Sequence, residues 1–250
     1  MALLELVDEL SGAIDDKLIT IGVFIDLAKA FDTVDHSILL GKLQHYDVRG
    51  IAHDWFKSYL TSRQQYVTLN KANSKRARIT CGVPQGSILG PILFLLYIND
   101  LNDVSNRLQS IMFADDTNLF HTGKTLEEVE RQMNCELVKI DEWFIANLLS
   151  LNVSKTSYII FGNKKHSDIK LYMQNSSLIR QYHTKFLGVI LSATLKWNKH
   201  IEIVLNKASK SIGIISKVRH LLPVHLTKML YLTLVEPYFF YCNVIWASAD

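Results

Sequence analysis

Apolar and polar positions along the chain change period several times, and each change marks a predicted element. Leu3, Leu6, Val7, Leu10 and Ile14 recur at helical spacing, so Met1 to Asp16 reads as an amphipathic helix. The run LITIGVFIDL, Leu18 to Leu27, is β-branched and nearly uncharged; it reads as a buried strand with Asp26 at its exit. Asp35 is placed to cap a helix through Ile38, Leu39 and Leu43, and Gly50 separates it from a second helix carrying Trp55, Phe56 and Tyr59. RQQYVTLN and RARITCGV then read as the arms of a hairpin around Lys71 to Lys75.

At Gly82 the period shifts from a glycine and proline turn into a long apolar helix over 88–101, within GVPQGSILGPILFLLYINDL. SIMFADDTNLF, Ser110 to Phe120, sets Asp115 and Asp116 between two apolar arms and predicts a hairpin with acids at its tip. Thr125 to Leu148 is amphipathic, with Leu126, Val129, Met133, Leu137, Ile140 and Phe144 on one side. LSLNVSKTSYIIF gives a turn and strand, and TKFLGVIL a further strand. After Trp197 the pattern turns helical and basic, and Pro223 divides it from a last apolar stretch. No fixed repeat period and no linker rich in proline, serine or glycine interrupts the chain.

With 250 residues and 48% hydrophobic content, the chain fills one large domain or two small ones, which excludes disordered and fibrous classes. Its richest apolar stretch, Met229 to Ala247, is broken by Glu236 and Pro237, so no clean membrane span of about 20 residues exists. Acids at Glu5, Asp8 and Glu9 stand where a secretory signal carries positive charge. Cys81, Cys135 and Cys242 are odd in number and form no CxxC pair, so neither a zinc site nor a disulfide framework is expected. A reducing, intracellular setting follows as the expectation, with nucleus and cytoplasm both open; KANSKRAR is a weak nuclear-localisation signal at best.

Charge is distributed unevenly along the chain. The net charge of +3 conceals alternation: −5 over residues 1–60, +5 over 61–80, −5 over 81–160 and +8 over 161–250. Such asymmetry fits a polyanion held beside a separate acidic site. Asp26 and Asp115 each end or interrupt an apolar strand, where an unpaired carboxylate carries a desolvation cost. Carboxylates at strand ends are ligands for Mg²⁺, and two such ions about 4 Å apart support phosphoryl transfer. Adjacent aspartates also occur in ordinary polar turns, and the pair alone leaves both readings open.

Five strings taken together resemble motifs A to E of reverse transcriptases, in the style of the non-LTR retrotransposons of the LINE and Jockey type. They run in order as FIDLAKAFDTVDH (Phe24 to His36), GVPQGSILGPILF (Gly82 to Phe94), FADD (Phe113 to Asp116), LSLNVSKT (Leu149 to Thr156) and KFLGVIL (Lys185 to Leu191). The resemblance implies an α+β right-hand polymerase fold, with a palm whose antiparallel sheet packs on helices, flanked by partial fingers and a partial helical thumb. It divides the chain into a palm with partial fingers, 1–192, and a basic thumb segment, 193–250.

By the same resemblance, Asp26 and Asp115 bridge two Mg²⁺ ions, with Mn²⁺ as an alternative, and Asp116 supports the metal site. Phe31, five residues after Asp26, resembles the steric gate against a ribose 2′-hydroxyl; by itself it reads as a core aromatic. Gln85 and Gly86 resemble the pair that lies against the incoming nucleotide, and Lys155 the lysine that donates a proton to departing pyrophosphate. Phe186, Leu187 and Gly188 resemble the turn that braces the primer end. Arg63, Arg76 and Arg78 on the hairpin, and Lys207, Lys210 and Lys217 beyond it, are expected to touch sugar-phosphate backbone, although a solvated basic face explains any one of them.

The implied partners are an RNA template, a DNA primer and deoxynucleoside triphosphates, with no membrane and no obligate protein partner. The motif order further implies a chain that begins partway through the fingers, stops within the thumb and lacks an endonuclease domain, as in a degraded or partially predicted element. FADD stands where many relatives carry YADD, which keeps both acids. Two alternatives stay open: a catalytically silent remnant that binds nucleic acid, and another two-metal enzyme such as a nuclease.

Overall fold

The computed structural model describes residues 2–163 and 166–247. Helix α1 (Ala2–Asp15) leads into strand β1 (Ile19–Ile25), followed by α2 (His36–His45) and α3 (Gly50–Leu60). Two short antiparallel ladders come next: β2 (Gln64–Gln65) pairs with β5 (Ala77–Arg78), and β3 (Thr68–Leu69) with β4 (Ala72–Asn73). After α4 (Leu89–Ile98) the chain forms β6 (Gln109–Phe113), β7 (Asp116–Gly123), α5 (Leu126–Ala146) and β8 (Ser157–Phe161). A small hairpin of β9 (Tyr172–Met173) and β10 (Ser176–Ser177) precedes β11 (Ile179–Arg180), β12 (His183–Phe186) and β13 (Val189–Ser192). Helices α6 (Asn198–Val218), α7 (Val224–Leu234), α8 (Glu236–Phe240) and α9 (Asn243–Trp246) complete the described chain.

The central sheet has the order β11-β8-β1-β7-β6. β1 lies in its middle because Ile21, Val23 and Ile25 face one core while Phe24 faces another, so both sides of the strand are covered. On the first side α5 supplies Val129, Met133, Leu137, Ile140 and Phe144, and α4 supplies Leu93, Phe94 and Tyr97. On the second, Phe24, Phe120, Phe161 and Phe186 pack with Leu3, Leu6 and Leu10 of α1 and Val204 of α6. A Cβ at Gly22 would sit 2.7 Å from the Phe120 ring, so the crowding of that side admits only glycine.

Three expectations need correction. The sheet is mixed rather than wholly antiparallel: the excursion after β8 brings β11 back parallel to it, Ile179 opposite Ser157. TKFLGVIL is a hairpin of β12 and β13, not one strand, because Leu187 (φ 44°) and Gly188 (φ 86°) supply the paired left-handed residues of a tight turn. The basic hairpin turns at Asn70 (φ 47°) and Lys71 (φ 66°), tighter than the expected span of 71–75.

Asp35 does cap α2, accepting from the Ser37 and Ile38 amides; these bonds, led by the Ser37 hydroxyl, hold its carboxyl below the usual carboxylate range. A buried strut ties α2 to the first core. Lys42 Nζ donates to the Tyr97 carbonyl (2.6 Å) and to Asp100 (2.7 Å), and burial lowers its pKa. The Tyr97 hydroxyl donates to the Asn147 carbonyl at 2.5 Å, and burial pushes it up to about 12. Among the described residues no helix is long and apolar enough to cross a membrane, and Cys81, Cys135 and Cys242 are free thiols.

Candidate active site

β1 ends where its apolar run ends, and the next residue, Asp26, turns a half-exposed carboxylate to solvent, 44% accessible. Across from it, Phe113 pairs with Asp116 and leaves a two-residue turn, Ala114 and Asp115, with Ala114 at φ 54°. Since Ile25 pairs with Thr117, Asp26 and Asp116 follow side by side at the same end of the two strands. Partial burial, then the charges of Asp115 and Asp26, push the Asp116 carboxyl up, and Lys185 opposes the shift. Lys155 Nζ stands 4.0 Å from Asp26 Oδ2. The three acids thus share one end of the sheet and repel one another.

Among the described residues no group of three or more His, Cys, Asp or Glu side chains forms a ready metal cage. Mg²⁺ asks for less: it keeps waters and takes one or two carboxylates, with substrate phosphate oxygens completing the shell. Hard oxygen donors, one of them raised by burial first and then by its neighbours' charges, fit that ion, because a nearby divalent cation favours the ionised carboxylates.

Two loops, one following Asp26 in the chain and one leading into α4, are locked together. Gln85 Nε2 donates to Asp32 Oδ1 at 2.8 Å, and the Val83 amide donates to the Phe31 carbonyl at 2.8 Å. Phe31 is half-buried, its ring 4.6 Å from that of Phe94, so part of it packs and part stays available. At Gly82 (φ 86°) a Cβ would lie 2.8 Å from the Asp32 carbonyl. Gly86 (φ 78°) has nothing within 4 Å of that position, so its need for glycine is conformational and the space above it is open.

A cleft of about 630 Å³ opens between these loops and the β2–β5 ladder, lined among others by Lys29, Asp32, Arg63, Arg78 and Gln85. Arg63 and Arg78 therefore come together there, whereas Arg76 sets its guanidinium 5.8 Å from the Tyr66 ring centre. Lys207, Lys210 and Lys217 are exposed along α6, Lys207 lying 5.9 Å from the Tyr238 ring centre.

Phe186 is buried with Phe24, while the Leu187–Gly188 turn is held from outside: Tyr241 donates its hydroxyl to the Leu187 carbonyl at 2.6 Å. The same hairpin brings Lys185 into the field of Asp116. Lys29, Asp32 and Lys185 escaped the sequence reading as site residues. Lys29 and Asp32 lie inside FIDLAKAFDTVDH, so the signal was their nearness to Asp26; Lys185 opens KFLGVIL, but its approach to Asp116 depends on the hairpin turn.

Residues 6–191 match the family described as reverse transcriptase (RNA-dependent DNA polymerase). The chain belongs to that family. The matched span contains Asp26, Asp115, Asp116, Phe31, Gln85, Gly86, Lys155 and the 186–188 turn, and leaves α6 outside. Among curated reverse transcriptase relatives, the probable RNA-directed DNA polymerase from transposon X-element of Drosophila melanogaster is 28% identical over 97% of this chain. The RNA-directed DNA polymerase from mobile element jockey of the same organism is 28% identical over 76% of it. These matches cover 27% and 21% of the two relatives' own lengths.

Solved structures agree on the fold alone. Apo telomerase from Candida tropicalis, truncated from its C-terminal domain, superposes with a TM-score of 0.54 at 13% identity over 77% of this chain and 39% of that one. Telomerase from Candida albicans, solved with a fragment of telomeric RNA, gives 0.53 at 13% identity over 93% and 43%. The fold is the α+β polymerase palm that the five strings implied.

Proposed function

We propose that this chain carries the nucleotidyl-transfer centre of an RNA-directed DNA polymerase of a non-LTR retrotransposon, joining deoxynucleotides to a primer 3′-hydroxyl on an RNA template. The observation that carries the reading is the meeting of Asp26, Asp115 and Asp116 at one sheet end, although Asp26 and Asp115 stand about ninety positions apart in the chain. These acids are the donors for two divalent cations, Mg²⁺ with Mn²⁺ as the alternative. Bound there, such ions activate a hydroxyl and stabilise a leaving oxygen.

The protein's own groups supply the rest. The primer 3′-hydroxyl gives its proton up to solvent as its oxygen bonds to the α-phosphorus of the incoming nucleotide, the bond to pyrophosphate breaks, and Lys155 delivers a proton to the departing oxygen. Phe31, with part of its ring free of Phe94, excludes a 2′-hydroxyl. Gln85 and Gly86 border the space for the nucleotide, and Phe186, Leu187 and Gly188 brace the primer end, with Tyr241 holding the turn. Arg63, Arg76, Arg78, Lys207, Lys210 and Lys217 meet backbone phosphates without reading sequence. In this reading residues 1–192 are palm with partial fingers and 193–250 partial thumb.

Primer extension by the purified chain on an RNA template, with Asp115→Asn alongside, tests the proposal. The expected result is Mg²⁺-dependent incorporation by the wild type and a loss of at least about 100-fold in the variant, the scale of removing one group that stabilises transition-state charge. Equal, negligible incorporation by both, with RNA–DNA duplex still bound, would leave only a silent nucleic-acid-binding remnant. Degradation of labelled strands without addition would indicate a nuclease instead.

A further inference from the structure

The ladder between β1 and β8 runs from Thr20 opposite Phe161 to Phe24 opposite Ser157 and then stops. It stops because the chain before β8 curls into a turn, with the Lys155 and Thr156 amides both donating to the Asn152 carbonyl at 3.0 and 2.9 Å. That curl withdraws the backbone carbonyl that a continued strand would offer to Asp26. A buried amide left without a partner is strongly disfavoured. Here the hydroxyl of Thr156, 1% exposed, takes the vacated place: it accepts from the Asp26 amide at 3.3 Å and donates to the Asn152 carbonyl at 3.1 Å. The Asn152 amide in turn donates to the Asp26 carbonyl at 2.8 Å. Both backbone groups of Asp26 are therefore fixed by one short turn, and the same turn sets Lys155 4.0 Å from its carboxylate.

We infer that Thr156 is a positioning residue, its hydroxyl standing in for a strand carbonyl to fix the backbone that aims the Asp26 carboxylate. The inference rests on the proposed function for its catalytic consequence, but not for its structural one. Threonine suits the place because one side chain must both accept and donate, and its methyl fills a buried site where asparagine or aspartate would bring surplus polar atoms.

Thr156→Val keeps the shape and removes the hydroxyl, Thr156→Ala removes hydroxyl and methyl, and Thr156→Ser keeps the hydroxyl alone. On the full chain, three readouts apply: hydrogen exchange at the Asp26 amide, Mn²⁺ binding followed by the signal of the free ion, and kcat and KM in primer extension. Val and Ala are expected to speed exchange at Asp26, weaken Mn²⁺ binding and lower kcat by about tenfold, the worth of one buried hydrogen bond. KM for the duplex stays unchanged, and Ser restores all three. If Val unfolds the chain, the Ser and Ala pair carries the same comparison.

Unchanged exchange and Mn²⁺ binding in a folded Val or Ala variant would overturn the inference, as would losses that Ser fails to restore. Should wild type bind no Mn²⁺ and add no nucleotide while the exchange pattern follows the hydroxyl, the positioning role stands and the polymerase reading falls.

Discussion

Asp116 opens β7 with like charges on two neighbouring segments, and the consequence for stability has a definite sign. Partial burial first, and then the charges of Asp115 and Asp26, raise its carboxyl pKa in the folded chain above the ordinary 3.8. The native state therefore holds the proton more readily than the unfolded one, and the contribution of this group is favourable at acid pH and lost as pH rises through the raised value. In chelator at neutral pH, Asp116→Asn should raise the unfolding temperature; a scan from neutral to about pH 3.5 should show the gap close. A lowered temperature at neutral pH would contradict this sign. At Phe31 the ring is shared between Phe94 and open space, so Phe31→Val should raise incorporation of ribonucleotides relative to deoxynucleotides, read in paired primer extensions. Both residues were legible from their strings. Lys185 was not, because its charge reaches Asp116 through a turn that places β12 beside the acids.

Elements were legible wherever one period ran long enough. The 126–146 helix buries the predicted stripe Val129, Met133, Leu137, Ile140 and Phe144, while Leu126 at its end is only partly covered. The hairpin with acids at its tip was equally plain, since two apolar arms leave the aspartates nowhere else to go. By composition TKFLGVIL reads as one strand, because Leu187 is not a residue that announces left-handed backbone and only Gly188 is; the turn at 186–188 came from the family resemblance alone. The parallel placement of β11 has no local signature, as it is decided by the length and path of the excursion after β8. Glycines at two places give opposite predictions. Gly82→Ala forces a Cβ to 2.8 Å from the Asp32 carbonyl at a positive φ, and should destabilise by about 1–3 kcal/mol in urea unfolding. Gly41→Ala, inside α2 with nothing within 4 Å, should stabilise by about 0.5–1 kcal/mol.

For the molecule as a whole, the alternation of charge along the chain puts acids at the end of β1 and β7, Arg63 and Arg78 on the cleft beside the β2–β5 ladder, and lysines on α6. Backbone phosphates held by such groups release counterions, so duplex affinity should fall with salt. Each of Arg63→Gln, Arg78→Gln, Lys207→Gln, Lys210→Gln and Lys217→Gln that removes a phosphate contact should flatten the plot of log affinity against log salt by about 0.7–0.9. Variants that leave the slope intact mark residues on a merely solvated face. The sequence order of the motifs carried the palm fold, but which basic residues line the cleft did not follow from order: Arg78 lies in β5 and Arg63 just before β2, its carbonyl accepting from the Ile79 amide, so both line the cleft, while Arg76 lies over Tyr66.

In the proposed function Asp26, Asp115 and Asp116 together hold divalent cations. Titrating Mn²⁺ into the chain in the presence of duplex and a non-hydrolysable deoxynucleotide, and following the free ion, tests it most directly. Binding near two ions per chain in the wild type, sharply reduced in both Asp26→Asn and Asp115→Asn, is the predicted result. Identical titrations for all three proteins would contradict it.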